Sequence, residues 1–213
     1  MNQPRLFIRA MVIPALLLLS GCMHIAVKAR VKADGSAVVS YRIGIDPKLM
    51  SPTPDGETLR VDKGDPGEPS FWDVSDKRGV RVLGKKVQNF PDGRRFTEIT
   101  CAADSPGAFS DDEETVRWDT LGGRRHLVWC FKCFDTGGTL LDTGKTDRDG
   151  KQAKARAYFA RFNFDFEVEM PGLILTAPGA DSIRDKKAFF HRTFADLMEK
   201  DFIAEATSER ATP

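Results

Sequence analysis

The sequence predicts an α+β domain, mainly antiparallel β-sheet with one or two helices packed on a face. Three observations predict it. Apolar and polar residues alternate with period two in at least six stretches. Turn signals containing glycine separate those stretches. A helix-compatible stripe occurs only in the last third of the chain.

The elements follow in order. Ile25, Val27, Ala29 and Val31 share one face, and Lys28, Arg30 and Lys32 the other. Ala33-Asp34-Gly35-Ser36 is a hairpin turn signal. Val39, Tyr41, Ile43 and Ile45 alternate again, so 24–45 reads as a β-hairpin. Residues 46–70 carry five prolines and three glycines and read as an unusually long loop. Phe71, Trp72 and Val74 suggest a short helix before Gly79. Val80–Val87 reads as a strand, Pro91-Asp92-Gly93 as a turn, and Phe96–Cys101 as the returning strand. Ser110–Glu114 reads as an exposed acidic turn.

Val116 and Trp118 lead into Gly122-Gly123, a further hairpin signal. Leu127, Trp129, Phe131 and Cys133 line one face of the next strand. Residues 135–153 are polar and Gly-rich, hence loop. Phe162, Phe164, Phe166, Val168 and Met170 alternate with Arg161, Asn163, Asp165, Glu167 and Glu169, the clearest strand in the chain. After it, Ile183, Phe190, Phe194 and Leu197 fit a helical stripe, with Ser182 and Asp185 as its capping box. Ala188, Phe190 and Phe194, then Phe202-Ile203-Ala204, fit strands equally well.

Composition narrows the function classes. Among 213 residues, 41% are hydrophobic and 30% charged, with a formal charge of +1. These are values of an ordinary folded domain. They exclude a polytopic membrane protein and a disordered tail. Without a basic surplus, sequence-independent nucleic-acid binding is not expected.

The N-terminus is more specific. Arg5 and Arg9 precede an apolar run from Ala10 to Leu19. That run is shorter than the roughly 20 residues of a membrane span. It fits the h-region of a secretory signal. Leu19-Ser20-Gly21-Cys22 then looks like the bacterial lipobox. Residues 1–21 are expected to be a lipoprotein signal peptide, and 22–213 a single extracytoplasmic domain. Cys22 is the expected lipid attachment site, and several acyl chains on one residue give stable anchoring. Losing Arg5 and Arg9 leaves 32 − 2 = 30 basic against 31 acidic side chains, a net of −1. In a Gram-negative host, Met23 in place of Asp favours sorting to the outer membrane, facing the periplasm.

Three further cysteines remain: Cys101, Cys130 and Cys133. Cys130-Phe131-Lys132-Cys133 is a Cys-x-x-Cys, but it falls in a strand pattern. Residues i and i+3 of a strand are about 10 Å apart, beyond the bridging limit of about 7 Å. A cross-strand bridge from Cys101 to Cys130 or Cys133 is simpler, leaving one free thiol. A zinc site of these three with His126 has suitable ligand types but lacks a second Cys pair.

Other motifs dissolve on inspection. Asp135-Thr136-Gly137 and Asp142-Thr143-Gly144 sit in one loop and cannot supply the two lobes of an aspartic protease. Gly144-Lys145-Thr146 lacks the first glycine of a phosphate loop. Asp147-Arg148-Asp149-Gly150 has Lys145 and Arg156 where a calcium loop needs ligands. No Gly-x-Ser-x-Gly is present. Lys28, Arg30 and Lys32 lie near the anchor and are read as a solvated strand face in preference to a headgroup contact. No catalytic residue, metal or cofactor is assigned.

The layout resembles the LppM-like bacterial envelope lipoproteins. The resemblance rests on the lipobox, the hairpin at Ala33-Asp34-Gly35-Ser36, and the strand start Gly79-Val80-Arg81-Val82. It rests also on the late strand Phe166-Glu167-Val168-Glu169-Met170 running into Pro171-Gly172, and on the turn-like stretch from Leu173 to Ala180. It implies an α/β envelope domain with binding or structural roles, and strands over 186–207. The only functional residue carried over is Cys22. The expected function is a non-enzymatic envelope lipoprotein, anchored in the membrane, whose sheet binds envelope lipid or a protein partner. The alternative is a thiol redox or metal-binding protein using Cys101, Cys130 and Cys133.

Overall fold

The computed structural model describes residues 23–45, 77–91, 93–132, 156–157 and 159–210. Within them run β1 (Met23–Val31), β2 (Ala37–Ile45), β3 (Val80–Asn89), β4 (Arg95–Ala103), β5 (Glu114–Leu121) and β6 (Arg124–Phe131). There follow β7 (Asn163–Glu169), β8 (Ile174–Thr176), β9 (Ser182–Arg184), β10 (Lys187–Thr193), the one-turn helix α1 (Phe194–Leu197) and β11 (Phe202–Ser208). They form a seven-stranded sheet in the order β3-β4-β2-β1-β7-β10-β9 and a four-stranded sheet in the order β5-β6-β11-β8.

The first hairpin forms as its sequence predicts, with Met23 opposite Ile45 and Val31 opposite Ala37. Its turn closes through Gly35 N to Lys32 O at 3.0 Å. Gly35 has φ of 86°, a conformation that glycine adopts without a Cβ clash. Asp34 Oδ1 accepts from both the backbone N (2.9 Å) and the hydroxyl (2.7 Å) of Ser36. β1 then pairs in parallel with β7, while every other strand pairing is antiparallel. A parallel pair requires a long connection, and β7 is the first strand described after the 131–163 interval.

The alternation of β7 is obeyed at every position. Phe164, Phe166 and Val168 are buried, and Asn163, Asp165, Glu167 and Glu169 face out. Phe166 sits at the core centre. Its ring centroid lies 5.5 Å from Trp129, 5.7 Å from Phe131, 6.2 Å from Phe190 and 5.7 Å from Phe202. Each such aromatic pair adds about 0.5–1.5 kcal/mol beyond simple burial. The aromatic residues of β6, β7, β10 and β11 thus join the two sheets.

Several expectations are corrected here. The mainly antiparallel sheet is present as expected, but helix is minimal among the described residues, and a second sheet rather than a helix packs on the larger one. Among described residues the helices are α1, a 3-10 turn at Pro106–Phe109 and helical residues at 156–157 and 159. Ser182 begins β9 and does not cap a helix. The capping box is instead Thr193 with Asp196, where Thr193 Oγ1 accepts from Asp196 N and Asp196 Oδ2 accepts from Thr193 N. The strands implied over 186–207 are present as β10 and β11, interrupted by α1. Ile183, expected in an apolar stripe, is exposed. The acidic turn is exposed through Glu113, but Glu114 is buried as the first residue of β5. The leader with Cys22, the 46–70 loop, the expected helix at Phe71–Val74, Cys133 and the 135–153 loop lie outside the described residues.

Candidate functional site

Two groups of polar side chains converge in this fold, one between the sheets and one on the outer face of the larger sheet. The buried group is centred on Glu114. Lys77 Nζ lies 2.5 Å from Glu114 Oε2 and 2.8 Å from Asp111 Oδ2, and donates to Phe109 O at 2.7 Å. Trp129 Nε1 donates to Glu114 Oε1 at 2.5 Å. The side chains of Lys77 and Glu114 are only 10% and 7% exposed. Burial pushes the Glu114 carboxyl up, and the Lys77 ammonium partly offsets that. Burial also holds the Tyr41 phenol well above its usual range, with the Glu114 charge adding to it. Every acceptor oxygen of Glu114 is thus engaged from within the fold, and the cluster reads as an internal brace.

The outer group is a charge ladder on three adjacent strands. Alternation places Asp165, Glu167 and Glu169 on the outer face of β7. Register sets Lys28 opposite Glu167 and Arg30 opposite Glu169, on β1. Lys28 Nζ lies 3.6 Å from Glu167, and Arg30 Nε 3.1 Å from Glu169. From β10, Lys187 Nζ reaches Glu167 at 2.7 Å and Glu169 at 3.5 Å. At the end of the ladder, Asp165 lies between two imidazoles. His24 Nε2 is 2.5 Å from Oδ2, and His191 Nδ1 is 2.6 Å from Oδ1. Burial pushes the Asp165 carboxyl up, but hydrogen bonds from His24 and His191 outweigh it and hold it below the usual range.

This ladder leaves a depression. The residue opposite Asp165 on β1 is Ala26, and opposite Ala26 on β2 is Arg42. The Ala26 methyl is too small to fill the space between its charged neighbours. A groove of about 340 Å³ results, lined by His24, Ala26, Lys28, Arg42, Asp165 and His191, with Phe189 at its side. Arg42 also borders a second depression of about 390 Å³ with Lys86, Gln88, Phe96 and Glu98. The Arg42 guanidinium carbon sits 4.6 Å from the Phe96 ring centroid. Gly44, opposite Phe96, makes room for that ring, since a Cβ there would lie 2.3 Å from it. The outer face thus carries two depressions joined at Arg42, the first over Ala26 with Phe189 at its side and the second lined by Lys86, Gln88, Glu98 and the Phe96 ring. Concave apolar surface with a few fixed polar groups suits ligand binding.

The cysteines do not converge. Cys101 lies on β4 and faces the core between the sheets, fully buried. Cys130 lies on β6, opposite Thr115 and Ile203, on the outer face of the smaller sheet. Both are free thiols, so the expected Cys101–Cys130 bridge is not formed. The two strands belong to different sheets, which spacing in the sequence does not reveal. Pairing with Cys133 lies outside the described residues. Burial pushes both thiols up, away from the reactive thiolate. His126 engages Glu205 at 3.1 Å and Asp119 at 3.6 Å, away from Cys101. Among the described residues no group of three or more His, Cys, Asp or Glu is arranged to hold a metal.

Sequence reasoning passed over His24, His191 and Asp165 as separate residues. The outward positions of His24 and Asp165 were readable from alternation. Their meeting was not, because it depends on a pairing across 141 residues.

No family model and no curated protein matches this chain. Among solved structures, it is similar to the folded domain of the Mycobacterium tuberculosis LppM protein, determined by NMR. The identity is 12% and the TM-score 0.46, over 91% of this chain and 93% of that one. The chemistry of the site is read from this chain's own residues. Among the described residues, no helix is long and apolar enough to cross a membrane.

Proposed function

We propose that this chain is a bacterial envelope lipoprotein, tethered through acylated Cys22, that binds a ligand on the outer face of its larger sheet. It is read as a binding module and not an enzyme. The observation that carries the binding role is the pair of depressions joined at Arg42. The lipobox supports the tether, and β1 begins at the very next residue, Met23. The ligand is an envelope lipid or a protein surface. The fixed charges at Lys28, Arg42 and Asp165 and the rings of Phe96 and Phe189 would recognise a molecule with both polar and apolar parts. The free, raised thiols give the redox alternative no support.

Native mass spectrometry of the Cys22→Ser protein, recovered from envelope extract, tests the binding role. A discrete added mass that fragments as lipid identifies a lipid carrier, and a stable protein adduct identifies a partner. Ala26→Leu fills the groove without touching the core and is expected to remove the added mass. Retention of the full adduct by that variant, or a bare mass with no partner in crosslinking, contradicts the proposal.

A further inference from the structure

We propose that β3, at the edge of the larger sheet, is a docking strand that takes an extended acidic segment of another protein as a further strand. The proposal depends neither on the tether at Cys22 nor on a ligand over Ala26.

Backbone is the first argument. A strand at the end of a sheet has one neighbour, so part of its N–H and C=O groups point outward and can pair with another chain. The larger sheet ends at β3 on one side and at β9 on the other. β9 has 3 residues and β3 has 10. A short edge offers little to pair with, whereas β3 offers a full strand. Its register with β4 shifts once, between Val82 and Gly84, so Leu83 is the extra residue of a bulge. From Gly84 opposite Thr100 to Asn89 opposite Arg95 the register is unbroken. That stretch, 84–89, matches the length of an ordinary strand. Among the described residues no strand pairs with the far side of β3.

Side chains are the second argument. Residues opposite each other in an antiparallel pair share a face of the sheet. Val82 is opposite Cys101, Lys85 is opposite Ile99 and Val87 is opposite Thr97. On β4 this is the face turned to the core, and Cys101 and Thr97 are buried. On β3 the cover has ended. Val82 is 48% exposed and Val87 45%, and Leu83 at the bulge is 61% exposed. Large apolar side chains thus stand in solvent on the strand whose backbone edge is also open. An added strand covers Val87 with its own inward-facing residues.

Charge selects the occupant. β3 carries Arg81, Lys85 and Lys86 and no acid. Arg81 lies 3.2 Å from Asp104, and Lys85 has a contact of its own. The selecting charge is therefore Lys86, exposed on the outer face opposite Glu98 and without an ion pair among the described residues. A second copy of β3 would bring the bases of both strands to one seam with no acid between them, and like charges across a strand pair are destabilising. A segment that alternates apolar and acidic residues fits both faces. Its apolar side chains lie over Val87, and its carboxylates lie beside Lys86. Backbone pairing supplies affinity and the alternating side chains supply selectivity, as in other strand additions.

The test selects a library of randomised peptides against the Cys22→Ser protein and follows amide hydrogen exchange with the enriched peptide added. Enrichment of alternating acidic and apolar residues is expected, with exchange over 84–89 slowed severalfold and the other edge, 182–184, unchanged. N-methylation of alternate peptide residues is expected to abolish the protection in one of the two registers and to preserve it in the other, as strand pairing requires. Lys86→Glu is expected to weaken binding severalfold with an unchanged unfolding curve. Failure to enrich acidic peptides, protection elsewhere, or equal binding by Lys86→Glu overturns the proposal. Slow exchange over 84–89 in the protein alone also overturns it. If that protection rises with protein concentration, the occupant is a second copy, and if it does not, the edge is already covered.

Discussion

Glu114 shows how much a single side chain can hold in this fold. Its carboxylate joins Lys77, next to β3, to Trp129 on β6, and so braces one sheet against the other. Removing one partner of a buried pair strands the other charge. Lys77→Met is therefore expected to destabilise the protein by about 3–5 kcal/mol. The double variant Lys77→Met, Glu114→Leu removes both charges and is expected to recover most of that loss, measured by urea unfolding. Asp165 predicts a pH dependence. Its folded pKa lies below the unfolded value of about 3.9. Its contribution is therefore present above that unfolded value and lost as pH falls through the lower folded value. Asp165→Asn is expected to melt below the wild type at pH 6, with the gap closing as melts are taken further below pH 4. A gap that persists unchanged into acid would show that the two imidazoles do not hold this carboxylate. The side chain is 39% exposed, so solvent screens the effect.

At the scale of elements, close approach and core packing make separate predictions. Gly172 follows β7 where the chain passes Glu209, and a Cβ there would lie 2.3 Å from the Glu209 backbone oxygen. Backbone cannot step aside as a side chain can, so Gly172→Ala is expected to cost about 1–3 kcal/mol in denaturant unfolding. Phe166→Ala empties the centre of the aromatic cluster and is expected to cost about 3–5 kcal/mol. A loss below 1 kcal/mol at Phe166 would mean the two sheets are not joined there.

These same elements show what the sequence made legible. β1, β2 and β7 were readable because one face of each is buried and the other wet, and period two records that directly. β10 and α1 were ambiguous because Phe190, Phe194 and Leu197 are all buried whichever period is chosen. The division into two sheets was not readable. Period two states which side of a strand is buried, but not against what. For that reason a bridge from Cys101 to Cys130 or Cys133 was expected although Cys101 and Cys130 lie in different sheets, and the His24–Asp165–His191 group was not anticipated.

The whole molecule is best understood from where its chain begins. The strand that follows the lipobox is an interior strand of the larger sheet, flanked by β2 and β7. In the tether proposed above, the acylated residue is the immediate neighbour in sequence of that strand. Cys22 is the residue on which this arrangement depends. Cys22→Ser is expected to move the protein from the membrane fraction to the soluble fraction without changing its unfolding curve. The most direct measurement is the intact mass of the full chain after expression in a bacterial host and detergent extraction of the envelope. The account predicts a mature chain that starts at Cys22 and carries a diacylglyceryl adduct. A water-soluble chain with an unmodified Cys22, or one still carrying residues 1–21, would contradict it.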